Sequence, residues 1–269
     1  MNKDVGGKLV LVGAGLSVDL ITLRGIEKIL EADIVYVDSY TSVVLDDLRS
    51  FLASRTGKEA VFLGREDIEE RFFETLIKPA LEGLKVVLVV PGNPLDATTH
   101  VALLSEVSRR KIDFEVVPAP GIIPNALTMS GLMVYKIGKI VTLTYPKSGI
   151  ISEYPYDVIK DNDLRNLHTP LLTEIDLEKG VKMQVKEAVE ILLQLESMRR
   201  EGVLSESRRA VAVSGLGGKK QRICFGTLKD LMRLPTHEGP HTLVITSPKM
   251  HFLEEEVAQI ISRKYCQST

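Results

Sequence analysis

Tryptophan is absent from the 269-residue chain, and aromatic residues make up only 5% of it. A stacking platform for single-stranded nucleic acid needs exposed aromatic rings, so that class of function is disfavoured. A dominant charge is also missing: 34 basic and 36 acidic side chains leave a formal net charge of −2. No global field draws in nucleic acid or an anionic membrane. No apolar run approaches the ~20 residues that span a bilayer, and the start has no signal-peptide core. These absences predict a cytoplasmic protein. Cysteine is scarce, and Cys224 and Cys266 form no CxxC pair and match no zinc spacing, which predicts two reduced thiols.

What is present is an ordinary globular composition, 44% apolar and 26% charged, with a length suited to about two domains. The stretch Val90-Pro91-Gly92-Asn93-Pro94-Leu95-Asp96-Ala97-Thr98-Thr99-His100 organises the rest. The apolar run Lys85–Val90 leads into it and reads as a buried parallel strand. Two prolines and a glycine end the strand, and Thr98 or Thr99 is positioned to cap a helix striped by Val101, Leu104 and Val107. Ligands in open α/β sheets bind beyond the carboxyl ends of strands, which is where this polar loop falls.

Earlier in the chain, Lys8–Val12 is a strand followed by Gly13-Ala14-Gly15-Leu16. A dinucleotide fingerprint would want a third glycine where Val18 stands, so nicotinamide binding is weakly supported. Strands at 34–37, 60–63 and 114–117 alternate with helices at about 22–30, 43–54 and 66–81, which argues for a mostly parallel sheet covered on both faces. Pro118-Ala119-Pro120-Gly121 is the strongest punctuation and predicts an N-terminal α/β domain over 1–117, a linker over 118–120 and a C-terminal α/β domain over 121–269. Beyond it the pattern predicts a mixed sheet. Strands are expected at 140–144, 169–175, 210–213, 221–225 and 242–245, with Pro170 marking an edge or irregular start. Helices are expected at 122–132, 156–165, 181–200 and 252–264.

Several patterns invite chemistry that their context denies. His237-Glu238-Gly239-Pro240-His241 matches a zinc-protease motif by letter, but Gly-Pro cannot hold both imidazoles on one helical face, so no metal is expected. Ser214-Gly215-Leu216-Gly217-Gly218-Lys219-Lys220 lacks the hydroxyl of a P-loop and reads as a hairpin between strands. Glu66-Asp67, Asp161-Asn162-Asp163 and Glu254-Glu255-Glu256 read as helix starts and solvated faces. No hydrolase elbow or paired acid and base stands out. Gly/Pro-rich loops with few catalytic side chains suit a reaction that needs positioning more than proton transfer.

Leu11-Val12-Gly13-Ala14-Gly15-Leu16, followed by Asp19-Leu20-Ile21-Thr22-Leu23-Arg24-Gly25, resembles the opening of the tetrapyrrole-methylase superfamily of S-adenosylmethionine enzymes. Tyr40-Thr41-Ser42, Arg65-Glu66-Asp67, Pro91-Gly92-Asn93-Pro94 with Ala97-Thr98-Thr99-His100, and Tyr135-Lys136-Ile137-Gly138-Lys139 narrow it. So do Tyr156-Asp157-Val158-Ile159-Lys160, Leu167-His168-Thr169 and Pro240-His241. Together they look like the diphthine synthase family of the diphthamide pathway.

The resemblance implies two α/β domains with the methyl donor, S-adenosyl-L-methionine, folded into the cleft between them, and a homodimer. It implies N-methylation of a 3-amino-3-carboxypropyl chain on one histidine of translation elongation factor 2, with S-adenosyl-L-homocysteine as by-product. Family contacts to the donor map onto Leu16, Asn93, Asp96, Gly121, Ile122, Thr173, Leu216 and His241. The family usually has Gly-Asp-Pro where this chain has Gly92-Asn93-Pro94; Asn keeps a carbonyl acceptor without the charge, and Asp96 supplies a carboxylate nearby. Another superfamily member acting on a corrin precursor or ribosomal RNA, and a non-catalytic binding protein of the same fold, are the competing readings.

Overall fold

The computed structural model describes residues 6–41, 43–45, 47–177 and 179–266. Ser42 of the Tyr-Thr-Ser motif lies outside them. The chain divides into two units, one of Met1–Gly121 with Asp176–Lys179 and one of Ile122–Ile175 with Gly180–Thr269.

In the first unit, β1 (Lys8–Gly13), β2 (Ile34–Asp38), β3 (Ala60–Leu63), β4 (Lys85–Val90) and β5 (Asp113–Val117) form one sheet in the order β3-β2-β4-β1-β5. Every pairing in it is parallel. The unbroken apolar runs now have their reason. Leu9 and Leu11 of β1, with Val86, Leu88 and Val90 of β4, feed one core, while Val10, Val12, Val87 and Val89 feed another on the opposite face. Alternating side chains are therefore apolar in both directions.

Helix α1 (Leu23–Glu31) starts as its sequence predicts, with the Thr22 hydroxyl accepting from Gly25 N. Helix α2 runs over Leu48–Thr56, later than the expected 43–54, because Asp47 caps it by accepting from Ser50 N. The expected helix at 66–81 is instead two π-helical turns, Glu66–Glu70 and Phe73–Ile77, followed by α3 (Lys78–Leu81). Helix α4 (Val101–Arg109) has His100 at its N-cap position and no side-chain cap. The expected threonine cap is not made: the Thr98 hydroxyl accepts from His100 N, tightening the loop instead.

The second unit begins with α5 (Ile122–Thr128) and β6 (Val141–Leu143), then α6 (Tyr154–Leu164) and β7 (Thr169–Thr173). Two-residue strands β8 (Ile175–Asp176), whose Asp176 is counted with the first unit, and β9 (Val181–Lys182) precede α7 (Val185–Arg199), and β10 (Arg209–Ser214), β11 (Arg222–Thr227), α8 (Leu228–Leu231), β12 (His241–Ile245) and α9 (Phe252–Tyr265) complete the second unit. The large sheet is mixed, in the order β11-β10-β12-β7-β6, with β6 and β7 parallel and the other pairs antiparallel. Its core gathers Tyr156 and Ile159 of α6 with Ala188, Val189, Leu192 and Leu195 of α7. Pro170 sits on an interior strand, yet β6 pairs only with Leu171–Thr173, so one flank of the proline is an edge.

Three expectations for this unit are corrected. Cys224 and Cys266 are joined as a disulfide, with Cα atoms 4.8 Å apart. Helix α9 lies against β11, where the Ser262 hydroxyl accepts from Phe225 N, and this brings the two cysteines together. Spacing rules search for cysteines near in sequence and miss a pair separated by 42 residues. The acidic runs are not only solvated faces. Glu254 is buried and serves three donors from other segments besides its own N-cap His251, Asn162 is buried against Lys139 and Thr169, and Asp163 takes both arms of Arg208. Finally, α5 stops at Thr128 rather than 132, where Ser130 turns back to donate to Ala126 O and Gly131 adopts φ +77°.

Candidate functional site

The loops after β1 and β4 are zipped together by main-chain bonds. Gly92 N donates to Gly15 O at 2.8 Å and Gly15 N to Gly92 O at 3.2 Å, while Ala14 N donates to Val90 O at 2.8 Å. Glycine is required for this approach: a Cβ on Gly13 would lie 2.7 Å from Gly92 O and from the Ala119 Cβ. Leu16 and Asn93 therefore flank one bridge at the carboxyl ends of neighbouring strands. Gly121 closes on the same loop, since a Cβ there would fall on the Asp96 carboxylate and 3.1 Å from the Asn93 Cβ. The four sequence-predicted residues of this unit, Leu16, Asn93, Asp96 and Gly121, gather around the central loop. Partial burial pushes the Asp96 carboxyl above its ordinary range.

In the second unit, Thr173 and His241 meet where β7 and β12 lie side by side. The Thr173 hydroxyl donates to His241 O at 2.7 Å. His241 Nδ1 is 2.8 Å from the Ser214 hydroxyl at the end of β10. Its Nε2 is buried and has no hydrogen-bond partner among the described residues. A buried polar atom left unpaired is costly, and a ligand group is the natural partner. Burial and the neighbouring His237 push the imidazole down to about 4, so it is neutral at physiological pH.

Leu216 is buried in the hairpin that joins β10 to β11, and Gly215 of that hairpin abuts Gly239, whose Cβ would lie 2.6 Å from the Gly215 Cα. The His237–His241 segment thus packs as a turn against a glycine hairpin: His237 Nε2 bonds Lys220 O, and the two imidazoles are not aimed at one point. Among the described residues no group of His, Cys, Asp or Glu is arranged to hold a metal. Ile122 begins α5. The structure thus brings together Leu16, Asn93, Asp96 and Gly121 in one unit, and Thr173 and His241 in the other.

Two cavities of the first unit, about 560 and 750 Å³, are lined by none of these eight residues. The smaller lies at the amino ends of β1 and β4, around Lys8 and Lys85, on the edge opposite the loops that bear the candidate residues. The larger adjoins Phe72, His100 and Leu103. A strand-end cluster beside it escaped the sequence reading. Asp38, the last residue of β2, accepts from Tyr40 N and Thr41 N and faces His100 Nε2 at 3.3 Å. An acid ending a parallel strand was the available signal, but its partner is remote in sequence.

Known proteins resemble this chain over nearly its whole length. The family of tetrapyrrole (corrin/porphyrin) methylases matches residues 8–232. A diphthine synthase of Sulfurisphaera tokodaii is 35% identical over 258 residues, covering 95% of this chain and 99% of that protein. One of Methanopyrus kandleri is 37% identical, covering 93% and 94%. A crystal structure of diphthine synthase superposes with a TM-score of 0.83 at 30% identity, covering 96% of each chain. The chain belongs to the tetrapyrrole methylase family, in the branch of the diphthine synthases.

Proposed function

We propose that the chain is the S-adenosylmethionine-dependent methyltransferase that N-methylates the 3-amino-3-carboxypropyl-histidine of translation elongation factor 2, giving diphthine. The observation that carries this reading is the likeness to diphthine synthases over 95% or more of the chain.

Leu16, Asn93, Asp96 and Gly121 of the first unit, with Ile122, Thr173, Leu216 and His241 of the second, are the residues that would hold the donor. The fit is supported by the unpaired Nε2 of His241 and by glycine contacts too close for any side chain at 13 and 121. Bound donor supplies a methyl already activated on a sulfonium. The protein's part is to align the acceptor nitrogen and exclude water. The loops at 13–16 and 91–96 suit that task, because Gly15 and Gly92 tie them together by reciprocal main-chain bonds. Neutral His241 offers a hydrogen bond to an uncharged polar group. Solvent, or a carboxylate such as Asp96 that burial shifts upward, would take the proton that the acceptor ammonium must lose.

A homodimer belongs to the same reading. It is supported by Leu253, Val257 and Ile260, exposed apolar residues at helical spacing along α9, and light scattering of the purified chain tests it. Among the described residues no helix is long and apolar enough to cross a membrane. A translation factor as acceptor assigns the reaction to the cytoplasm.

Two measurements test the proposal. Calorimetry should show S-adenosylhomocysteine binding at micromolar levels. Incubation with the modified elongation factor and labelled donor, read by mass spectrometry, should show added methyl groups on its histidine. Transfer to a corrin precursor or ribosomal RNA instead would reassign the acceptor, and donor binding without transfer to any acceptor would make the chain a binding protein.

A further inference from the structure

Past the Gly15–Gly92 bridge, the loop that runs to Thr99 is held by short-range bonds. Asp96 N donates to Asn93 O at 3.2 Å, and Leu95 N reaches Asn93 Oδ1 only at 3.5 Å. Ala97, directly after Asp96, has φ +53°, a left-handed conformation that a residue with a side chain holds only when its surroundings impose it. A buried side chain holds the loop from beneath. His100 is fully buried, and its Nδ1 is 3.1 Å from the carbonyl of Pro94. A carbonyl only accepts, so Nδ1 carries the proton and donates. The opposite edge of the ring faces Asp38 Oδ2 at 3.3 Å, though Nε2 makes no hydrogen bond among the described residues. That carboxylate is fixed in turn by Tyr40 N, Thr41 N and the Thr41 hydroxyl. The imidazole therefore spans from the end of β2 to the middle of the loop that follows β4, its neighbour in the sheet.

We propose that His100 is a positioning residue for methyl transfer: its Nδ1–H bond to the Pro94 carbonyl sets the place of Asn93 and Asp96 on either side of that carbonyl. His100 touches neither donor nor acceptor and acts through the loop. The inference rests on the reading above that Asn93 and Asp96 contact the donor. Supports of this kind matter because displacements of about 1 Å at a reacting centre cost up to roughly 100-fold in rate.

Two amide side chains separate the ends of the ring. In asparagine the amide nitrogen branches from Cγ, as Nδ1 does, so His100→Asn keeps a donor for Pro94 and loses the reach toward Asp38. In glutamine the amide lies one bond further out, at the place of Nε2, so His100→Gln keeps the reach and loses the donor. S-adenosylhomocysteine affinity by calorimetry and thermal melting are measured for the wild type, both variants and His100→Ala. All three variants lose stability, since a fully buried ring is replaced. The proposal expects the Asn variant to bind within about 3-fold of wild type and the Gln and Ala variants to bind about 10-fold more weakly, with KM for S-adenosylmethionine rising in the same proportion. Should the Gln variant not fold, Ala against Asn makes the same comparison.

Equal affinities in the Asn, Gln and Ala variants, or affinities that fall only in step with melting temperature, would overturn the positioning role and leave His100 a packing residue. A folded wild type that does not bind S-adenosylhomocysteine at all would instead overturn the donor-site reading, and the positioning role with it.

Discussion

Removing the carboxylate of Glu254 should destabilise the second unit more than any other surface-remote charge change there. The side chain opens α9, yet it is buried. Its Oε1 accepts from Met133 N at 2.8 Å and from His168 Nε2 at 2.9 Å, and its Oε2 from His251 N and Lys136 Nζ, each at 3.0 Å. His168 Nδ1 accepts from Ser247 N, so its proton sits on Nε2, facing the carboxylate. Burial alone would raise the acid, but these four donors outweigh it and bring the carboxyl from 4.5 down to about 2. That difference corresponds to about 3 kcal/mol of stabilisation of the ionised form. Glu254→Gln keeps the shape but turns an amide N–H₂ toward groups that can only donate, and Glu254→Ala takes their acceptor from Met133 N, His168 Nε2 and His251 N while Lys136 keeps Ser247 and Lys249. Each should cost about 3 kcal/mol at neutral pH, measured by urea unfolding followed by circular dichroism. The sign with pH follows from a folded value below the unfolded one: the stabilisation is complete above about 4.5 and is lost as pH falls through about 2. The wild type should therefore lose more stability across that window than the Ala variant does. A Gln variant within about 1 kcal/mol of wild type, with an unchanged pH slope, would refute the reasoning.

The Cys224–Cys266 bond closes a loop of 42 residues, for which chain entropy gives roughly 4 kcal/mol, so Cys266→Ser or added reductant should lower the melting temperature. Alkylation of the unfolded chain without reductant should label neither cysteine; two labels would show the thiols free. Gly121→Ala should weaken S-adenosylhomocysteine binding at least about 10-fold by pushing Asp96 and Asn93 aside, with little change in melting temperature, and unchanged affinity by calorimetry would remove Gly121 from the site. His241 titrates at about 4 in the fold, below the 6.5 of an unperturbed imidazole, so its contribution to stability is present above 6.5 and lost as pH falls toward 4. Donor affinity should consequently be flat between pH 6 and 8; an inflection there that disappears in His241→Gln would contradict a neutral His241.

Local order was legible wherever it depends on neighbours in sequence. The run Lys85–Val90 is β4 to the residue, and Thr22 caps α1 as its position suggests. The first half of the chain also carries its period openly, in continuous apolar strands alternating with helices. What escaped were partners that only the fold brings close. Glu254 looks solvated beside Glu255 and Glu256 because nothing nearby reveals that His168, 86 residues away, completes its site. The motifs that carried the family resemblance divide in the same way. Gly13–Leu16 and Pro91–Asp96 form the candidate donor loops, whereas Lys136 and His168 hold Glu254, and Gly138 stands where any Cβ would strike Asn162. A motif therefore marks a residue under constraint without saying whether that constraint is chemical or architectural.

The reciprocal bonds between Gly15 and Gly92 join two segments that are far apart in the chain into one stiff rim. Neither segment can be reshaped alone. A substitution that relaxes the turn after the first strand is transmitted to the bend that bears Asn93, and the reverse holds equally. If the donor lies against this rim as proposed, accepting a bulkier sulfonium analogue would require paired changes in both segments, and variants altered in only one should pass the strain across rather than widen the space.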